Sequence, residues 1–420
     1  MLILSTQITI IVASVAVFLS VIVLLVGILL FAKKKLIPSG ELQISINDGE
    51  HEIMAEPGNT LLTTLSNNKI FLPSACGGGG TCAMCRCQVL EGGGSILPTE
   101  TNFFTRKEQN DNWRLACQVK VKDNLKIKVP QEVLGVKKWE CEVVSNKNVA
   151  TFIKEFVVKL PEGENLNFKS GGYIQIDVPK VEVDFNTIDI DEKYRDEWEK
   201  FGMFNLKMKN PEPTFRAYSM ANHPAEGNMI MLNIRIATPP WDRANNAFKK
   251  VNPGICSSYI FSLKPGDKVD ISGPYGDFFL KDNDNEMMFI GGGAGMAPMR
   301  SHLFHLFHTV KERNKKISFW YGARSWKEVF YYDQFREIEK NYDNFEFHLA
   351  LSEPLPDDKW DGPTGFIHQV IYDNYLSKHE EPEEIDYYLC GPPMMNDAVQ
   401  KMLYNLGVPS DNVAYDDFGS

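Results

Sequence analysis

At 420 residues the chain is too long for one ordinary core, so two to four domains are expected. A formal net charge of −11 and an isoelectric point near 5.4 argue against nucleic acid as a partner. The eight cysteines are too few for a disulfide scaffold and cluster as metal ligands do, which fits a reducing compartment.

In chain order, the first element is apolar. From Ile8 to Ala32 there is no Asp, Glu, Lys or Arg. At ~1.5 Å rise per residue the run reaches ~37 Å, enough for a ~30 Å hydrocarbon core with some tilt. A cleaved leader fits worse: no basic segment precedes the run, it is too long, and no small-residue cleavage pattern comes after it. Lys33, Lys34 and Lys35 place the rest of the chain in the cytoplasm by positive-inside logic. Residues 1–39 are read as a single-pass anchor with a basic flank, and 8–32 as its bilayer contact. With no ionisable side chain in the span, any ion pathway belongs to other subunits.

Residues 40–132 read as a small α+β domain. ELQISIND alternates as a strand, and Thr60 is placed to cap the short helix LLTTLSNN. SACGGGGTCAMC then supplies Cys76, Cys82 and Cys85, and RLACQ supplies the distant Cys117. Four successive glycines make sense where the backbone adopts positive φ or approaches a ligand closely, as in amides wrapped around cluster sulfides. The first gap is one residue longer than in the plant-type pattern, and the arrangement resembles adrenodoxin-like and reductase-associated [2Fe–2S] ferredoxin domains of β-grasp fold. Zinc is the competing reading, but a second C-x2-C pair or histidines are lacking. Cys87 is expected to pack beneath the loop.

Residues 133–283 carry closely spaced strands separated by turn residues, the pattern of an antiparallel barrel. In Arg216-Ala217-Tyr218-Ser219, alternation puts Arg216 and Tyr218 on one strand face, a guanidinium for phosphate beside a phenol for a flat ring. Gly254-Ile255-Cys256-Ser257-Ser258 opens a short helix whose free N–H groups suit a pyrophosphate. Both motifs, followed by GPYGDFFL, resemble the FAD-binding barrel of the ferredoxin-NADP reductase superfamily. The resemblance implies that Arg216 and Ser257 contact the FAD diphosphate and that Tyr218 and Ser219 touch the isoalloxazine, with Gly254 and Cys256 forming the turn. An acidic insertion, 180–213, separates GGYIQIDVP from RAYS. Its plain reading is a solvated helix over the barrel; docking of partner subunits is the sharper one.

Residues 284–420 change to α/β periodicity. EMMFIGGGAGMAPMR is strand, glycine turn and helix, with Gly291, Gly292, Gly293 and Gly295 against a phosphate. CGPPMM resembles the superfamily segment beside the nicotinamide, which implies Cys390, Gly391 and Pro392 near the hydride path. YDDFGS resembles its aromatic flavin cover, which makes Phe418 the ring expected to move aside. Arg324 and Ser325 offer a contact for a 2′-phosphate, but Glu328 just beyond favours free ribose hydroxyls, so NADH is expected over NADPH. His302, His305 and His308 form a packing stripe or a metal face; no carboxylate completes the latter.

Anchor, [2Fe–2S] domain, FAD barrel and NADH domain in this order resemble the family of the F subunit of sodium-translocating NADH:quinone reductases, over nearly the whole chain. The resemblance implies hydride transfer from NADH to FAD, with Ser219, Cys390 and Phe418 at the reacting rings. Single electrons then pass through the cluster to membrane partner subunits and ubiquinone, coupled to sodium export at the bacterial inner membrane. The alternatives are a stand-alone NAD(P)H reductase feeding an oxygenase, and a membrane-tethered zinc scaffold without catalysis.

Overall fold

The computed structural model describes residues 13–28, 31 and 40–416. Residues 13–28 are helical with every side chain exposed, Val23 at 70% for example. Among the described residues no helix is long and apolar enough to cross a membrane; the expected span, 8–32, runs past them at both ends. Phe418 also lies outside the described residues. The chain divides into two compact units, one of Met1–Leu72 with Gly78–Leu134, the other of Pro73–Gly77 with Gly135–Ser420.

The smaller unit holds a five-stranded mixed sheet. Its order is His51–Ala55, Leu42–Ile46, Leu125–Lys128, Arg86–Glu91, Trp113–Leu115, with Leu42–Ile46 and Leu125–Lys128 parallel. Alternation is visible in the burial: Ile44 and Ile46 are fully buried. The helix Leu61–Asn67 lays Leu61, Leu62 and Leu65 on this core, and Thr60 caps it by accepting from the Thr63 N–H. Glu100 and Arg114 form a buried ion pair at 2.7 Å. Glu100 also accepts from the Leu97 and Leu115 amides, and Arg114 donates to the Gly93 and Gly94 carbonyls, so the pair is fully hydrogen-bonded.

The larger unit contains a six-stranded antiparallel sheet in the order Thr214–Ser219, Tyr173–Val178, Lys268–Tyr275, Lys137–Ala150, Ile153–Lys159, Met229–Arg235. A bridge between Met220 and Leu232 joins its outer strands and closes the barrel. Insertion 180–213 is not a solvated appendage. Phe185, Ile188, Ile190, Tyr194, Trp198, Met203 and Met208 join the barrel's core, and Trp198 is fully buried with its indole N–H donating to the Thr151 carbonyl at 2.8 Å. Apolar side chains on one face of Glu192–Lys200 outweigh its acidic outer face; truncating a buried tryptophan costs about 3–5 kcal/mol.

The same unit carries a five-stranded parallel sheet, Phe345–Leu351, Ile317–Ala323, Met287–Gly292, Asp386–Cys390, Val413–Asp416. Helices Met296–Phe304, Tyr332–Asn341, Ile367–Asn374 and Pro393–Asn405 cover it. Such sheets place ligands at the carboxyl ends of their strands.

Candidate functional site

The cysteine loop is built as the glycine run requires. Gly77, Gly78 and Gly80 have φ of 63°, 88° and 77°, and a Cβ on Gly80 would stand 2.5 Å from the Gln118 amide nitrogen. Cys85 and Cys117 are buried, 1% and 5% exposed, while Cys82 is half-buried. The Cys85 thiol is held far above its usual range, first by its hydrogen bond to Cys117, then by burial and the nearby Cys117 and Cys82 sulfurs. Thiols that meet in a buried loop resist ionising together unless a cation compensates, and metal binding supplies one. This donor set fits an iron–sulfur cluster. Among the described residues no three His, Cys, Asp or Glu side chains converge at single-ion spacing. Cys76 lies on Pro73–Gly77, its Sγ 4.0 Å from Ser74 Oγ, and the Gln118 amide donates to Cys117 Sγ at 3.7 Å. Cys87 packs fully buried opposite Arg114, its thiol pushed up to about 12 by burial.

On the barrel, Arg216 stands opposite Ile176 and donates to its own strand, to Phe215 O at 2.7 Å and Thr214 Oγ1 at 3.1 Å. The Tyr218 hydroxyl meets the Cys256 thiol; burial first, then Cys256, raises the phenol well above its usual value. Helix Ile255–Ser262 starts at Gly254 with no side-chain cap. Ser257 Oγ accepts from Ala237 N at 3.1 Å, and Ser258 Oγ donates to Gly254 O at 2.6 Å. Both hydroxyls thus brace the turn and leave the first-turn amides without a side-chain cap, a fit to a diphosphate.

The parallel sheet brings its two glycine turns together. A Cβ on Gly295 would lie 2.0 Å from the Cys390 carbonyl, and one on Gly292 would meet Pro392 at 3.4 Å. Gly293 sits at φ 56°. Gly291 pairs with Cys390 across adjacent strands. Cys390 is buried and pairs in register with Asp416 on its other side. Asp416 Oδ2 in turn accepts from Ser219 Oγ at 2.6 Å. Ser219, Cys390 and Asp416, scattered in the chain, therefore converge. Asp416 escapes a reading of the sequence; its signal is the acidic pair just before Phe418.

Glu328 is engaged within the fold. Both carboxylate oxygens accept from Thr151, one from its N–H at 3.2 Å and the other from its hydroxyl. It is a strut between the strand hairpin and the turn Trp326–Glu328. The histidine stripe packs as a stripe: His302 is fully buried among Phe278, Phe289 and Tyr388, and burial drives its pKa down to about 3. A cleft of about 520 Å³, lined in part by Pro363, Gly365, Phe366, His368 and Asp373, has no signature in the sequence. It opens at the carboxyl end of Phe345–Leu351, where Gly365 N donates to Leu351 O, and Phe366 is 72% exposed at its rim.

Three family models match: a 2Fe-2S iron-sulfur cluster binding domain over residues 44–122, an oxidoreductase FAD-binding domain over 200–280 and an oxidoreductase NAD-binding domain over 289–401. The chain is 54% identical over 409 residues to the F subunit of the Na(+)-translocating NADH-quinone reductase of Psychrobacter cryohalolentis, covering 97% of this chain and 98% of that one. It is 54% identical over 402 residues to the F subunit of the same enzyme in Methylococcus capsulatus, covering 96% and 97%. Among solved structures it is similar to a ferredoxin reductase in carbazole 1,9a-dioxygenase, at 26% identity and TM-score 0.58 over 90% of this chain and 99% of that one. An Amycolatopsis cytochrome P450 reductase shares the fold at 22% identity and TM-score 0.60, covering 90% and 98%.

Proposed function

The chain belongs to the family of the Na(+)-translocating NADH-quinone reductase F subunit, and on that premise we propose which of its residues do the work of electron input. It is an oxidoreductase with an NADH site, an FAD site and a [2Fe–2S] site. When bound, FAD takes a hydride from NADH and the cluster passes electrons on singly to partner subunits.

In this reading Cys76, Cys82, Cys85 and Cys117 hold the cluster. Arg216 and the amides after Gly254 hold the FAD diphosphate, with Ser257 bracing the turn and Cys256 anchoring Tyr218 beside the ring. The glycines at 291–295 admit the dinucleotide phosphates, and Gly391 and Pro392 keep the neighbouring turn out of their way. The cleft below Phe366 takes the adenine, a flat base against an exposed ring. The observation that carries this reading is the convergence of Ser219, Cys390 and Asp416 at the ends of a barrel strand and two sheet strands. These side chains orient and exclude water; the hydride itself asks for no protein acid or base. Phe418, two residues past Asp416, is the proposed movable cover.

Residues 8–32 are proposed to cross the bacterial inner membrane with the other domains, 40–132, 133–283 and 284–420, in the cytoplasm. The lack of charge in the run and the three lysines after it support this. NADH titration of the detergent-solubilised protein, monitored by visible absorption and EPR, tests the whole scheme. NADH should bleach the flavin and raise the signal of a reduced [2Fe–2S] cluster. Cys76→Ala should abolish the second and leave the first. Loss of flavin bleaching in that variant at normal FAD content would reverse the proposed order.

A further inference from the structure

We propose that Glu197, on the insertion rather than on the nucleotide domain, sets the preference for NADH over NADPH by engaging Arg324. This rests on the reading of NADH as the coenzyme.

Arg324 is the first residue after strand Ile317–Ala323, at the carboxyl edge where such sheets seat a nucleotide and where an arginine accommodates a 2′-phosphate. Its backbone carbonyl accepts from Glu353 N at 2.7 Å, which ties it to the loop leading to the cleft. The guanidinium, however, faces two carboxylates. Nη2 lies 3.7 Å from Glu197 Oε2 and 3.9 Å from Glu328 Oε1. Glu197 Oε2 is buried, makes no hydrogen bond and is ion-paired with the guanidinium; Oε1 pairs with Lys200 Nζ at 3.5 Å.

The grip is firm at neighbouring positions. Asp196 pairs with Lys327 at 2.6 Å, Lys327 Nζ lies 5.8 Å over the Tyr194 ring, and Trp198 donates to the Thr151 whose N–H and hydroxyl hold Glu328. Helix Glu192–Lys200 thus clamps the nucleotide loop. A 2′-phosphate brought to Arg324 would have to displace Glu197 and sit beside two like charges, whereas a ribose hydroxyl meets neither penalty.

The test is steady-state oxidation of NADH and NADPH by the FAD-loaded protein, with ferricyanide as acceptor. Glu197→Gln should lower KM for NADPH by about tenfold with kcat unmoved, and change NADH kcat/KM by less than about twofold. Glu197→Asp should keep the parent preference, and Arg324→Ala added to Glu197→Gln should erase the gain. An unchanged NADPH KM in Glu197→Gln, at parent FAD content and melting temperature, would overturn the proposal, as would a gain that persists without Arg324. Arg324→Ala alone gives an independent readout, whether or not Glu197→Gln folds. The proposal expects inhibition by 2′-AMP to be unchanged, and a several-fold weakening would show that Arg324 is already open to phosphate. Equal use of both coenzymes by the parent would instead remove the NADH reading itself.

Discussion

Ser219 Oγ and Asp416 Oδ2 stand 2.6 Å apart, a hydrogen bond between residues 197 positions apart that joins a barrel strand to the parallel sheet. Ser219 is 6% exposed, so the carboxylate accepts from it in a largely dry setting. Ser219→Ala should slow flavin bleaching by NADH about tenfold to a hundredfold, the effect of losing one well-placed polar group, while FAD content stays at the parent level. Stopped-flow absorbance measures it. A rate equal to the parent's would take the pair out of the hydride site.

Cys85 and Cys87 are two residues apart with opposite expected roles. Cys85→Ala should strip the protein of iron and acid-labile sulfide, because its thiol meets that of Cys117 and lies near that of Cys82. Cys87→Ala should keep both and cost about 1 kcal/mol of stability, as its thiol packs under the sheet opposite Arg114. Iron and sulfide per FAD, assayed side by side, decide between them.

Removing the Glu100 carboxylate leaves the Arg114 charge buried without its partner, along with the Leu97 and Leu115 amides. Glu100→Ala should destabilise the smaller unit by about 3–5 kcal/mol. Urea unfolding monitored by loss of the cluster's visible absorption reports it. A midpoint within error of the parent's would mean that water replaces the carboxylate at no cost.

Lys154 is 1% exposed, its ammonium 5.3 Å over the Phe261 ring and donating to Phe261 O at 3.4 Å. Burial lowers its pKa to about 8 against the opposing pull of Asp189 and Asp191. Between about pH 8 and pH 10.5 the unfolded chain holds this proton and the folded chain does not, so the group's penalty on folding, about 3 kcal/mol below pH 8, fades as pH rises through that window. Lys154→Met should therefore raise the melting temperature at about pH 7 and lose most of that advantage near pH 10. An equal shift at both would show that the lysine holds its proton in the fold as tightly as in the unfolded chain.

Local rules expose much of this molecule from residue order alone. The positive φ of Gly77, Gly78 and Gly80, the cap at Thr60 and the glycine turn before Met296 all follow from residue type and spacing, because each is settled within a few residues of chain. Long-range partners are not legible in this way. Nothing near Ser219 announces Asp416, and nothing near Glu328 announces its Thr151 partner across the fold. The insertion misleads for a simpler reason. Its charges dominate its composition, but Tyr194, Trp198 and Phe201 recur at helical spacing within it, and those aromatics form the buried face.

Thr151 occupies the hairpin between two barrel strands, receives Trp198 on its carbonyl and gives its N–H and hydroxyl to Glu328. One threonine thus couples flavin housing, insertion and coenzyme loop into a single cooperative body. Heating should dismantle Gly135–Asp416 in one calorimetric step, with no temperature at which the nucleotide layer is molten while the barrel survives. A lesion anywhere along that threonine's three connections would register as loss of the whole, which makes the region brittle to mutation and well suited to holding two coenzymes in fixed alignment.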